Sequence, residues 1–238
     1  MSTSIIRLLG IVPLVLLMVA AGPAAAQEDG DSVVRERNSG VSFPVELIVP
    51  GTETVHMITG TGIRTKTFLK VKVYAFGLYV DPAGARTALA DYTGMEGKEL
   101  EKNDAFFDTV LEQDFGMTLR LVMTRDVGGE DMAEAFDGAL RPRVQRAAAE
   151  MDMPGGEAAL DEFRGFFSVD EMTKESEIVF SCASDGTLRT SVKGEVQAEI
   201  TSGALCWALF DVYLGEDPIS GGGKKNIGKA FADVLSAM

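Results

Sequence analysis

Residues 60–80 read Gly60-Thr-Gly-Ile-Arg64-Thr-Lys-Thr-Phe-Leu-Lys-Val-Lys-Val-Tyr74-Ala-Phe-Gly-Leu-Tyr-Val80, which sets one arginine and one tyrosine ten residues apart in a strand-forming, lipophilic stretch. A guanidinium facing an apolar enclosure keeps its proton and needs an anionic partner, and a nearby phenol can share that anion by hydrogen bonding. The stretch therefore points to an anion site. An internal Asp or Glu paired with Arg64 is the competing reading. Lys70 and Lys72 read as solvated strand lysines.

Working outward, Val45, Leu47 and Val49 alternate with their neighbours, Pro50-Gly51 turns the chain, and a second run surrounds Val55, Met57 and Ile58. This predicts a β-hairpin. Gly116 to Thr124 alternates as a further strand, after short helical pieces at 85–92 and 104–113. From Glu130 the spacing becomes helical, with Met132, Phe136, Leu140 and Val144 at steps of four. A second amphipathic helix follows over 157–167. Ile178 to Cys182 and Leu188 to Val192 flank Asp185-Gly186, a strong hairpin signal. An apolar helix (204–214) and a second helix (225–237) end the chain, separated by a Gly221-Gly222-Gly223 hinge. Strands first and helices later predict an α+β fold, with an antiparallel sheet and its helices segregated to one face.

The first 26 residues carry Arg7, an apolar run from Ile11 to Ala20 and then Gly22-Pro23-Ala24-Ala25-Ala26, the pattern of a cleaved secretory signal. An uncleaved anchor competes, but the helix-breaking Gly-Pro favours cleavage and no stable membrane insertion afterwards. A periplasmic or secreted protein is the expectation. Residues 27–42 read as a flexible lead-in and 43–238 as one domain. The formal charge is −14, with acidic residues in nearly every segment, which argues against nucleic acid as a partner. Cys182 and Cys206 both sit among apolar neighbours, so two buried thiols are expected rather than a bridge.

A single histidine, His56, leaves no basis for a histidine metal site or a Ser-His-Asp relay. Gly60-x-Gly62 and Gly221-Gly222-Gly223-Lys224 lack the spacing of nucleotide-binding loops and read as turns. The adjacent acids Asp161-Glu162 and Glu216-Asp217 read as solvated surface. No metal and no cofactor is expected.

Three stretches together resemble the chalcone isomerase-like family: Gly60-Thr-Gly-Ile-Arg64 with Tyr74-Ala-Phe-Gly77-Leu-Tyr79-Val, Arg125-Asp126-Val127 leading to a helix at Gly129-Glu130, and Gly203-Ala204-Leu205 through Leu214-Gly215-Glu-Asp-Pro218. The resemblance implies an open-faced β-sandwich, a large antiparallel sheet packed on a helical layer with a ligand cleft between. Within that family plant enzymes cyclise chalcones, whereas related plastid proteins bind fatty acids. Arg64 falls on the arginine that both groups share. Tyr74 stands where the enzymes place a catalytic threonine, as in the fatty-acid binders. The enzymes' tyrosine, asparagine and late threonine are replaced by Met132, Ala139 and Val212.

The resemblance thus implies a non-catalytic binding protein for a fatty acid or similar amphiphilic carboxylate. Arg64 and Tyr74 would hold the headgroup, and Phe76, Met132, Phe136, Trp207 and Phe210, with Phe68 and Phe163, would supply walls. Plain core packing is the alternative for each wall residue. Two other functions stay open. One is an isomerase or lyase acting on a chalcone-like enone or small polyphenol, with Arg64 and Tyr74 stabilising an enolate. The other is an interaction protein whose cleft is filled by its own side chains.

Overall fold

The computed structural model describes residues 32–66, 70–112 and 114–236, so Phe68 and the first 26 residues, expected to be an export signal, lie outside the described residues. Strands β1 (Val33–Arg35) and β2 (Ser42–Pro44) pair with each other, and β3 (Glu46–Ile48), β4 (Val55–Lys66) and β5 (Val71–Val80) follow. Helices α1 (Pro82–Ala88), α2 (Gly97–Leu100) and α3 (Asp104–Leu111) lead to β6 (Met117–Met123). Next come β7 (Val127–Gly128), α4 (Gly129–Glu150), α5 (Gly156–Gly165) and β8 (Glu171–Met172). The chain closes with β9 (Glu177–Cys182), β10 (Thr187–Val192), β11 (Glu195–Val196), β12 (Ile200–Thr201), α6 (Gly203–Leu214) and α7 (Gly221–Ser236).

The large sheet runs in the order β11-β10-β9-β6-β5-β4-β3, with β12 also on β10, and its pairings are antiparallel. The interior strand β5, between β6 and β4, shows why the sequence there lacks a polar face. Tyr74, Phe76, Leu78 and Val80 enter the core shared with the helices, whereas Ala75 and Tyr79 join Phe43 and Val122 on the opposite face. Successive side chains point to opposite faces of a strand, so both sets are buried. The α+β, open-faced sandwich expectation holds.

The lead-in expectation needs correcting, because Val33–Arg35 forms β1. The chain turns back to β2 around Glu36, a buried carboxylate that accepts hydrogen bonds from the backbone amides of Asn38 (3.0 Å) and Ser39 (2.7 Å). Polar residues here fasten a turn.

The thiol expectation is also overturned. Cys182, which ends β9, and Cys206, in the first turn of α6, face each other across the sheet–helix interface and form a disulfide, with Cα atoms 5.9 Å apart. Apolar neighbours suit a buried thiol and a buried bridge equally, so the sequence pattern could not separate them. At its other end α6 is tied to α4 by Asp211, which is 4% exposed and accepts from Arg143 Nε (2.7 Å) and Arg146 Nη2 (3.0 Å). Removing the bridge by Cys206→Ala is expected to cost about 3 kcal/mol of stability for a loop of this length, measured by urea unfolding.

His56 is buried on β4, and its Nδ1 lies 2.9 Å from Thr118 Oγ1, which in turn donates to Ser181 Oγ at 2.8 Å. Burial lowers its pKa from 6.5 to about 4, against a smaller opposing effect of Asp81. The folded protein thus holds the ring neutral where the unfolded chain protonates it. Stability from this group is complete above the unfolded pKa and falls as pH drops from 6.5 toward 4, by at most about 3 kcal/mol. His56→Gln should flatten this part of the acid-unfolding profile.

Candidate functional site

The site begins with the glycines of β4. A Cβ on Gly60 would lie 2.8 Å from the Cα of Ile227, and one on Gly62 would lie 2.4 Å from the Phe76 ring and 2.7 Å from the Cα of Gly223. Gly60 and Gly62 are therefore not a turn, as the sequence suggested, but mid-strand positions that let α7 lie directly on the sheet. Nor is Gly221-Gly222-Gly223 a hinge: it forms the first turn of α7, and Gly223 makes room for Phe76. Arg64 is the next residue on that face of β4, where the covering helix begins.

In the strand register Arg64 faces Tyr74. Its Nη1 lies 3.4 Å from the Tyr74 hydroxyl, and its guanidinium carbon lies 5.7 Å from the centre of that ring. The turn joining the two strands includes Lys70 in a left-handed conformation, φ 52°. No Gly, Pro or Asn marks it.

The third member is Tyr213 of α6, whose hydroxyl is 2.9 Å from that of Tyr74 and whose ring meets Phe76 edge-on at 4.8 Å. Tyr213 is fully buried, and Tyr74 is its hydroxyl's only partner among the described residues. If Tyr74 donated to Tyr213, the Tyr213 proton would have no acceptor. The economical arrangement has Tyr213 donating to Tyr74, whose oxygen also accepts from Arg64. The Tyr74 proton is then left for the cavity, on an oxygen polarised from two sides. Burial, then Tyr74, pushes the Tyr213 phenol well above its ordinary pKa, so it keeps its proton. Burial also opposes the Arg64 charge, but the Tyr74 oxygen that accepts from it outweighs burial and holds the guanidinium above its usual range.

Arg64 and Tyr74 line a cavity of about 200 Å³ together with Lys66, Arg125, Asp131 and Met132, and Tyr213 backs Tyr74 from behind that wall. Among the described residues Arg64 forms no ion pair; its hydrogen bond to Tyr74 is its sole polar contact. Three cations against Asp126 and Asp131 give this wall a positive balance in a chain of charge −14. Among the same residues no group of three or more His, Cys, Asp or Glu side chains is placed to hold a metal ion.

Of the expected wall residues, Met132 lines this cavity. Phe76 lies beneath α7, and Phe210 is fully buried in the main core. Phe136 packs with Phe163, Phe167 and Phe180, and Trp207 lies under the Arg146 guanidinium at 4.7 Å. Tyr213 and Arg125 were not anticipated. A lone tyrosine in the largely apolar run of α6 was the available signal for the first, since a buried phenol needs a partner for its hydroxyl. Arg125, exposed and hydrogen-bonded to the neighbouring Asp126 carbonyl, carries no such signal.

Two substitutions separate the roles of the phenols. Tyr74→Phe should destabilise the protein by about 1–3 kcal/mol, because the buried Tyr213 hydroxyl loses its partner. Adding Tyr213→Phe should restore much of that stability without restoring any ligand binding, measured by urea unfolding and calorimetry.

An antiparallel sheet covered by helices, with an arginine and a tyrosine at a cavity between them, defines the class, and over residues 54–228 the chain matches the family model described as chalcone isomerase like. It belongs to that family. It is 28% identical over 207 residues to fatty-acid-binding protein 2 of Arabidopsis thaliana, covering 84% of this chain and 51% of the relative. The chain thus spans about half the length of that relative. Fatty-acid-binding protein 1 of the same plant is 26% identical, covering 87% of this chain and 72% of the relative. A chalcone–flavanone isomerase of Oryza sativa subsp. japonica is 27% identical, with 83% and 89% covered. A crystal structure of an Arabidopsis thaliana fatty-acid binding protein superimposes with a TM-score of 0.73 at 23% identity, covering 86% of this chain and 99% of that one. That likeness establishes the fold.

Proposed function

We propose that this protein binds a fatty acid or similar amphiphilic carboxylate without transforming it. The observation that carries the proposal is Arg64, a half-buried cation on a cavity wall whose one polar partner among the described residues is a phenol rather than a carboxylate. A ligand carboxylate supplies the missing anion, accepting from Arg64 and from the free Tyr74 proton in charge-assisted hydrogen bonds. The names of the two Arabidopsis relatives support this reading. Calorimetric titration with hexanoate is the direct test: saturable binding is expected, and an equal response to hexanol would remove the anion from the account.

The rice relative favours a second reading, isomerisation of an enone with Arg64 and Tyr74 stabilising an enolate. Size counts against it, because a cavity of about 200 Å³ encloses only one of the two aromatic rings of a chalcone. The apolar Met132 at the wall also offers no donor to a developing oxyanion. Measurable turnover of a chalcone would reverse this preference.

For location, the proposal is export. The N-terminal signal pattern supports it, and so does the Cys182–Cys206 bridge, since disulfides persist in oxidising compartments. Among the described residues no helix is long and apolar enough to cross a membrane. Mature protein beginning at Gln27 in an extracytoplasmic fraction is the expected finding.

A further inference from the structure

The size of the cavity limits what can fill it. Water occupies about 30 Å³ per molecule in the liquid, so the cavity of about 200 Å³ at Arg64 and Tyr74 holds about seven heavy atoms. A carboxylate head uses three of these, leaving room for about four further carbons.

Among the aliphatic side chains of the lining Met132 is the most deeply buried, 2% exposed in the first turns of α4. Beyond it the interior is closed. One turn further along α4, Phe136 stands with its ring centre 4.9 Å from Phe167, 5.5 Å from Phe180 and 5.7 Å from Phe163. Moving it breaks all three contacts. From the sheet side Phe76 is fixed against Tyr213 and in the space left by Gly62 and Gly223. Close-packed interiors of this kind resist entry of additional methylenes. Met132 differs from its neighbours in being unbranched and adaptable.

Resting on the carboxylate reading above, we infer that the site selects short-chain carboxylates and that Met132 sets the length at which selection ends. Each methylene buried in the cavity should tighten binding about fourfold. Methylenes beyond that length remain in water and add nothing.

The test is calorimetry on the mature protein with straight-chain carboxylates from butanoate to dodecanoate. Affinity should climb about fourfold per methylene and level off near pentanoate. A climb that continues to dodecanoate overturns the inference while leaving the carboxylate reading intact. Binding of no carboxylate at any length overturns that reading, and the inference with it. Met132→Ala removes three heavy atoms from the inner wall and should move the plateau outward by about three carbons; the milder Met132→Val should move it in the same direction by less. An unmoved plateau in folded Met132→Ala or Met132→Val overturns the role of Met132.

Discussion

Arg64→Ala is expected to weaken hexanoate binding by about 30- to 150-fold, the equivalent of about 2–3 kcal/mol for a lost charged hydrogen bond. Three features set this magnitude. The guanidinium is half-buried, so its partner is poorly screened by water. Tyr74 remains in place through its bond to Tyr213, so some affinity survives. Lys66 and Arg125 line the same cavity and sustain a weaker attraction for anions. Stability should change little, because among the described residues Arg64 holds no carboxylate whose partner would be lost. Arg64→Lys should recover only part of the affinity, since an ammonium cannot present the planar fork that grips both carboxylate oxygens. Unchanged hexanoate affinity in Arg64→Ala would mean that the anion is held elsewhere.

Gly62→Ala should have the larger effect on the fold, a loss of about 3 kcal/mol or more from overpacking. The added methyl meets the Phe76 ring at 2.4 Å and the Gly223 backbone at 2.7 Å. Phe76 cannot swing aside, because Tyr213 and α7 enclose it. Relief requires α7 to lift from β4, which also disturbs the strand that carries Arg64. Gly138→Ala is the control. A Cβ there meets nothing within 4 Å, in mid-helix α4, so this change should stabilise by about 0.5–1 kcal/mol. Thermal unfolding of the two variants should therefore move in opposite directions.

The order of strands and helices was legible because each element obeys its own period. Met132, Phe136, Leu140 and Val144 mark one face of α4, and Asp185-Gly186 closes the β9–β10 hairpin with Gly186 at φ 79°. The sheet-to-helix contact was not legible. Local composition says that Gly60 and Gly62 permit a turn; only the tertiary arrangement reveals that they admit α7. The same limit hid the meeting of Arg64 and Tyr74, whose turn uses Lys70 in a conformation more usual for glycine.

Within the candidate site, charge and polarity in apolar surroundings singled out Arg64 and Tyr74, which the structure brings together at one cavity. Tyr213 escaped because its role depends on which way its helix faces, and α6 is buried on nearly every side. The expected aromatic wall illustrates the opposite error. Phe136, Trp207 and Phe210 satisfy the same hydrophobic pattern whether they line a cavity or fill a core, and among the described residues they pack in the core. Cys182 and Cys206 pose the same ambiguity, resolved only when β9 and α6 are brought together.

A crystal structure of the mature protein grown with hexanoate tests the central claim most directly. The account predicts the carboxylate in the cavity beside Met132, with its oxygens about 3 Å from the Arg64 guanidinium and the Tyr74 hydroxyl, and Tyr213 still bonded to Tyr74. Hexanoate bound elsewhere, with Arg64 still resting on Tyr74 alone, would contradict it.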